Sequence, residues 1–189
     1  MHVGYSDMTK APRILSTKTV TSSRLFKVEE VGLRFANGQE TSYERLVGHT
    51  GGVLVVPVTN DDGLLLVREY AVGFERYELG FVKGRIENAE PPQLAASREM
   101  REEIGLDAAE YRHLATVSLT PAYSDHRTFI FLALGLFESP LAGDEPEELE
   151  TLLWPLSDVD RLRARDDFSD ARCLLATYLA SQKLKEIDG

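Results

Sequence analysis

Residues 84–106 read GRIENAEPPQLAASREMREEIGL, and this stretch holds both the central helix and its chemistry. Pro91 and Pro92 open a helical pattern that Gly105 closes, with proline in the first turn and glycine just past the end. At about 100° per residue, Ala96, Met100 and Ile104 form one apolar stripe suited to a core. Glu99, Glu102 and Glu103 share an adjoining arc at i, i+3 and i+4 spacing. They occupy the last two turns, at the negative end of the helix dipole, where each costs roughly 0.3–1 kcal/mol. The like charges of Glu99 and Glu103 add to that cost. Two readings fit such an arc. One is a solvated face balanced by Arg98 and Arg101. The other is a site for a hard divalent cation, which turns repulsion into ligation.

On either side of this helix the periodicity is that of strands. Upstream, residues 53–58 form a buried-looking apolar run, Asn60-Asp61-Asp62-Gly63 a turn, residues 64–70 a second strand and residues 77–82 a third. Downstream, strands are expected at 111–119, 128–137 and 150–154, followed by helices over about 157–165 and 169–187. Residues 14–48 read as a separate, hairpin-rich β segment in which Asn37-Gly38 is the turn. So few strands cannot bury both faces alone and must pack on the remaining chain or on a partner. The expected organisation is a flexible N-terminus at 1–13, an N-terminal β segment at 14–48, and a main domain with C-terminal helices at 49–189. The class is α+β, a mixed sheet with helices on its faces.

The 189 residues carry 21 Lys plus Arg against 31 Asp plus Glu, a net charge of −10. Such a field disfavours general nucleic-acid binding, yet a bound cation can reverse its sign locally for a small phosphorylated ligand. Cys173 stands alone, so an internal disulfide and a Cys-rich metal site are excluded, and a reducing cytoplasm is the expected home. The start lacks a signal-peptide pattern, and the apolar runs at 53–58 and 129–137 are too short to cross a bilayer. The four histidines, His2, His49, His113 and His126, are scattered without metal-ligand spacing. No P-loop, G-x-G-x-x-G or G-x-S-x-G pattern is present.

The longer spacing decides between the two readings of the helix. Gly84, five residues, Glu90, seven residues and then Arg98-Glu99-Met100-Arg101-Glu102-Glu103-Ile104-Gly105-Leu106 resembles the Nudix box at every fixed position. Met100 stands where Ile, Leu or Val is commoner, and Ala89 where many relatives have Gly. The resemblance implies a Nudix α/β/α sandwich. It also implies Mg²⁺ or Mn²⁺ held mainly by Glu99 and Glu103, with Glu102 additional or bridging and the Lys83 backbone carbonyl a further ligand. Gly84 is expected to allow a sharp loop. Arg98 is expected to hold Glu90 or to orient a helix carboxylate, and the helix glutamates are expected to face outward.

Further segments resemble the ADP-compounds hydrolase (NudE-type) branch of that family and its ADP-ribose pyrophosphatase relatives. They are Ser23-Arg24-Leu25-Phe26, Tyr43-Glu44-Arg45, residues 68–73, residues 77–81, Pro121-Ala122-Tyr123-Ser124, Gly143-Asp144-Glu145-Pro146-Glu147 and Trp154-Pro155-Leu156. Pro121, sixteen residues after Gly105, matches a marker of Nudix enzymes that favour ADP-ribose. The implied activity is hydrolysis of the diphosphate linkage of ADP-linked compounds such as ADP-ribose, NADH or diadenosine polyphosphates, with release of AMP. In ADP-ribose-type relatives the general base comes from an acidic loop after the box. Here that points to Glu147 first and Glu145 second, although a solvated acidic turn fits the same residues. Arg68 and Glu78 are candidates for the substrate's phosphates and polar groups, or for a salt-bridged strand pair. Phe26 and Tyr43 are candidates to stack on adenine, or core residues. An exchanged N-terminal segment in a homodimer is also implied. Two alternatives stay open: a Nudix enzyme for another nucleoside diphosphate derivative or an RNA cap, and a non-catalytic nucleotide sensor.

Overall fold

The computed structural model describes residues 11–48, 51–87, 89–143 and 146–188, with Asp188 described by its backbone alone. Residues divide into two units: 1–49 with 120–126, and 50–119 with 127–189. The smaller unit is a three-stranded antiparallel sheet of β1 (Arg13–Ser22), β2 (Lys27–Arg34) and β3 (Glu40–Leu46), in the order β1-β2-β3. Its β2–β3 connection is the expected hairpin. Gly38 takes a φ of +84°, and the Asn37 side chain accepts a bond from the Gln39 N–H. Val31 is the one buried hydrophobic among the unit's described residues, and all of β1 is exposed.

The larger unit holds β4 (Gly52–Pro57), β5 (Gly63–Ala71), β6 (Arg76–Gly80), β7 (Val82–Arg85), α1 (Pro92–Glu103), β8 (Leu106–Val117), β9 (Thr128–Glu138), β10 (Glu150–Pro155), α2 (Val159–Arg163) and α3 (Ala171–Asp188). A mixed sheet runs β7-β4-β9-β8, with β4 and β9 parallel, and an antiparallel sheet runs β10-β5-β6. β4 is apolar throughout because both of its faces are covered. Val53 and Val55 pack with Phe131, Ala133 and the α1 residues Ala95, Ala96 and Met100. Leu54 and Val56 point the other way and pack with Ile130, Leu132 and the α3 residues Cys173, Ala176 and Ala180. Strand alternation therefore places one helix on each face, which is the α/β/α sandwich.

Three local expectations change. Residues 77–82 are two strands in different sheets, broken at Phe81, whose buried ring meets Phe168 and whose N–H points to the Cys173 sulfur. β8 starts at Leu106, directly after the helix, because Gly105 with a φ of +70° turns the chain in one residue. The helix expected near 157–165 is a 3₁₀ turn followed by the short α2, which ends at Arg163. Among the described residues no helix is long and apolar enough to cross a membrane.

Met100 is fully buried between α1 and the mixed sheet. Met100→Ala is expected to cost about 2–5 kcal/mol, read as a lower denaturant midpoint at unchanged slope.

Candidate active site

The Arg98 guanidinium draws the box together. Its Nε and Nη2 donate to the two Glu90 oxygens at 3.0 and 3.1 Å. Nη1 donates to Glu99 at 2.8 Å and to Glu102 at 2.9 Å, and Nη2 also reaches the Arg85 carbonyl at 2.8 Å. Arg98 therefore holds both the loop glutamate and two helix carboxylates, and its own pKa is raised, first by the Glu90 bond. The same bond lowers the Glu90 carboxyl, which also accepts from the Glu87 N–H. Arg101 does not share this work and donates to the Ser139 carbonyl. Ala89, beside Glu90, has a left-handed φ of +60°, which explains the preference for glycine there among relatives.

Gly84 is not the loop glycine that was expected. It lies inside β7, paired with Val53, and its φ is not left-handed. A Cβ added there would overlap the Glu99 carboxyl. Glycine lets the Glu99 carboxylate occupy the space a side chain would fill, and any Cβ there would have to displace that carboxylate.

Glu103 also departs from the outward-facing arrangement. It turns inward, its Oε1 lies 3.4 Å from the Lys83 N–H, and its Oε2 is buried without a hydrogen-bond partner. Burial pushes its pKa up to about 8, against the attraction of Lys83 and with help from Glu99 and Glu69. Lys83 sits opposite Leu54 in β7 and pairs its ammonium with Glu69.

Hard oxygen donors with one orphaned buried oxygen suit a divalent cation. Among the described residues, however, no three acidic or histidine side chains converge in metal-binding geometry. Arg98 engages Glu99 and Glu102 while Glu103 stays apart, so a cation would have to draw the carboxylates from the guanidinium.

The acidic loop reaches the box. Glu147 shares a cavity of about 340 Å³ with Glu102, Glu103 and Gly143. A side chain at Gly143 would press on the Glu102 carbonyl at 3.1 Å, so the loop lies directly against α1. Glu147 Oε1 accepts a 2.8 Å bond from the Tyr77 hydroxyl, which raises the tyrosine pKa. Tyr77 lies in a segment that carries the family resemblance, but nothing in its spacing links it to residue 147. Glu145 lies outside the described residues, as do His2 and His49.

The other candidates are dispersed. Arg68 bonds Glu150 at 2.9 Å and Asp167 at 3.2 Å. Glu78 bonds Arg76 and, at 2.7 Å, the Ser169 hydroxyl. Each is salt-bridged, but not to the other. Phe26 and Tyr43 belong to the smaller unit and are exposed rather than core. Tyr43 borders a shallow pocket with Phe35 and Asn37. Pro121 opens a turn in which the Tyr123 and Ser124 N–H groups bond the Thr120 carbonyl.

The α/β/α domain thus sets an acidic helix against an acidic loop across one cavity. The NUDIX domain model matches residues 48–176, and the NudE-type Nudix hydrolase N-terminal domain model matches residues 12–45. The chain belongs to the Nudix hydrolase family, whose members generally use a divalent metal. It is 43% identical to the ADP compounds hydrolase NudE of Escherichia coli (strain K12), over 92% of this chain and 94% of that one. It is 29% identical to an ADP-ribose pyrophosphatase of Bacillus subtilis (strain 168), over 86% and 91% of the two chains. A crystal structure of an ADP compounds hydrolase superposes with a TM-score of 0.90 at 42% identity, over 96% of this chain and 98% of that one.

Two outcomes are expected from this geometry. Gly84→Ala should retain the fold by circular dichroism but weaken Mn²⁺ binding, followed by electron paramagnetic resonance, by about tenfold or more. Glu103 carries a folded-state pKa near 8 against the ordinary 4.5. The folded protein thus keeps a proton that the unfolded chain sheds, and metal-free stability should fall as pH rises from 4.5 to 8. Glu103→Gln should flatten that slope and, above pH 8 in EDTA, melt at or above the wild-type temperature. Saturating metal should reverse the order.

Proposed function

We propose that this chain hydrolyses the diphosphate linkage of ADP-linked compounds such as ADP-ribose, NADH and diadenosine polyphosphates, releasing AMP. The observation that carries the proposal is the single cavity in which Glu147 meets the box residues Glu102 and Glu103. The names of the relatives agree with it, since they describe hydrolases of ADP compounds and of ADP-ribose.

Mg²⁺ or Mn²⁺ would be held by Glu99, Glu103, Glu102 and the Lys83 carbonyl. When bound, the cation offsets phosphate charge and lowers the pKa of a water. Glu147 is the general base. Tyr77 engages its Oε1, so Oε2 is the oxygen that receives the proton of the attacking water. Arg98 keeps Glu99 and Glu102 in place when the site is empty, and Glu90 anchors Arg98 in turn. Protonated Glu103 lets that charge-dense site remain partly buried without metal.

The N-terminal β segment, residues 14–48, serves as an exchanged arm in a homodimer. Its ten-residue exposed β1 and near-absent core support this reading. Light scattering should then give about twice the 21.1 kDa chain mass.

With Mg²⁺, ADP-ribose should yield AMP and ribose 5-phosphate, and excess EDTA should abolish turnover. Full activity in EDTA excludes the metal-dependent reading, and no turnover of ADP-linked compounds, nucleotide sugars or capped RNA supports a nucleotide sensor. Glu147→Gln should lower kcat by about 10²–10⁴ with KM nearly unchanged. If Glu145→Gln does this instead, the base moves two residues along the loop. Tyr77→Phe should cost less than Glu147→Gln, because it releases the base without removing it.

A further inference from the structure

The last carbonyls of a helix have no partner within it, so groups outside must take them up. At the end of α1 the Met100 carbonyl accepts from the Ile104 N–H, and the Arg101 carbonyl accepts from the Leu141 N–H at 3.0 Å. Leu141 belongs to the stem of the acidic loop, which leaves β9 after Glu138 and enters β10 at Glu150. Arg101 binds the same stem a second time, because its Nε donates to the Ser139 carbonyl at 3.0 Å. The Ser139 N–H in turn donates to the Gly105 carbonyl at 2.9 Å. Residues 139–141 are thus joined to the helix end, and Arg101 makes that joint through both its side chain and its main chain.

The joint lies close to the chemistry of the loop. Gly143 follows it, and a Cβ there would stand only 3.1 Å from the Glu102 carbonyl, so the stem runs against the helix. Further along, Glu147 faces Glu102 and Glu103 across their cavity and takes the Tyr77 hydroxyl bond. The other end of the loop is fixed independently. Leu149 packs with the core cluster that contains Met100, and the Glu150 carboxylate accepts a 2.9 Å bond from Arg68. With that end fixed, any movement of the stem is taken up by the residues between, and Glu147 is among them.

A general base acts only within hydrogen-bond reach of its water, and a misplacement of about 1 Å can cost about a hundredfold in rate. The box carboxylates have their own guanidinium, since Arg98 grips Glu90, Glu99 and Glu102. Arg101 donates to the loop instead. We propose that Arg101 is a positioning residue for Glu147, seating the stem of the acidic loop on the end of α1 so that the base meets the box carboxylates, an inference that rests on the reading of Glu147 as the base. The two arginines then divide one task between them. Arg98 fastens the loop that precedes the helix, and Arg101 fastens the loop that closes over it.

The test is a double-mutant cycle on the full-length protein with Mg²⁺ and ADP-ribose. Arg101→Met keeps the aliphatic stem and loses both donor and charge, whereas Leu141→Pro removes the N–H of the loop stem and leaves every charge in place. Each should lower kcat by about tenfold or more, with KM and Mn²⁺ affinity within about threefold of wild type. In the Glu147→Gln background each should lower kcat by less than about twofold further, because the base they position is already gone. A merely structural loss would multiply through both backgrounds. The proposal is overturned if the full factor persists in Glu147→Gln, if KM or Mn²⁺ affinity changes in place of kcat, or if either variant, folded by circular dichroism, keeps the wild-type kcat. If one variant does not fold, the cycle is read on the other, and loss of the fold in both makes the joint structural and overturns the proposal as well. Glu147→Gln at the wild-type rate removes the base reading itself and this proposal with it, whereas a damaged Glu147→Gln with additive factors removes the positioning role alone.

Discussion

One guanidinium holds the charged half of this domain in place. Arg98 engages all three of its nitrogens at once, with Glu90 in the loop, Glu99 and Glu102 on the helix, and the Arg85 carbonyl at the end of β7. Without it, a helix that ends in several carboxylates would face its own dipole and its own repulsion. With it, the loop from β7 into α1 closes on the helix it precedes. The apolar stripe of α1 can then seat against Val53 and Val55 with part of the helix's negative charge offset. The planar fork explains why arginine is needed, since a lysine ammonium could not grip two Glu90 oxygens and still reach the helix carboxylates.

Glu103 obeys a different rule from its neighbours. Glu99 and Glu102 share the one Arg98 guanidinium with Glu90, whereas Glu103 is held neutral by a proton. The two solutions differ in how they yield. A guanidinium can be displaced by a stronger cation at any pH, but a protonated carboxyl must first lose its proton before it can ligate. The acidic cluster therefore combines a constant electrostatic lock with a pH-sensitive one in adjacent turns of one helix.

Much of the larger unit could be read directly from its apolar patterning. The unbroken apolar run of β4 announced a strand covered on both faces, and Pro92 and Gly105 marked the helix close to its observed ends. The Nudix spacing singled out the box residues because their identities are set by one local geometry. What escaped the sequence was long-range. Phe81 reads as the middle of a strand, and only the Phe168 ring and the Cys173 sulfur, more than eighty residues away, explain the break. Tyr77 and Glu147 are seventy residues apart, and no spacing rule joins a tyrosine in a strand to a carboxylate in a loop. The inward turn of Glu103 was hidden for another reason: helix geometry gives the arc a side chain occupies, not whether a neighbouring strand covers that arc.

The overlap between Gly84 and Glu99 bears on how this sequence can drift. Gly84 does not serve a backbone bend, so its latitude is set by the volume of one side chain fifteen positions later. The two residues are coupled through the position of that carboxylate. An alanine at 84 becomes sterically admissible when 99 shortens, and a shortened 99 leaves a gap that glycine alone cannot fill. Replacing Gly84 first moves the Glu99 carboxylate out of its place, so the order of change matters to the carboxylate's position more than to the fold. A descendant that had lost its chemistry would be released from holding that carboxylate at 84, and both this pair and Glu147, which lies on a loop, would then be open to change.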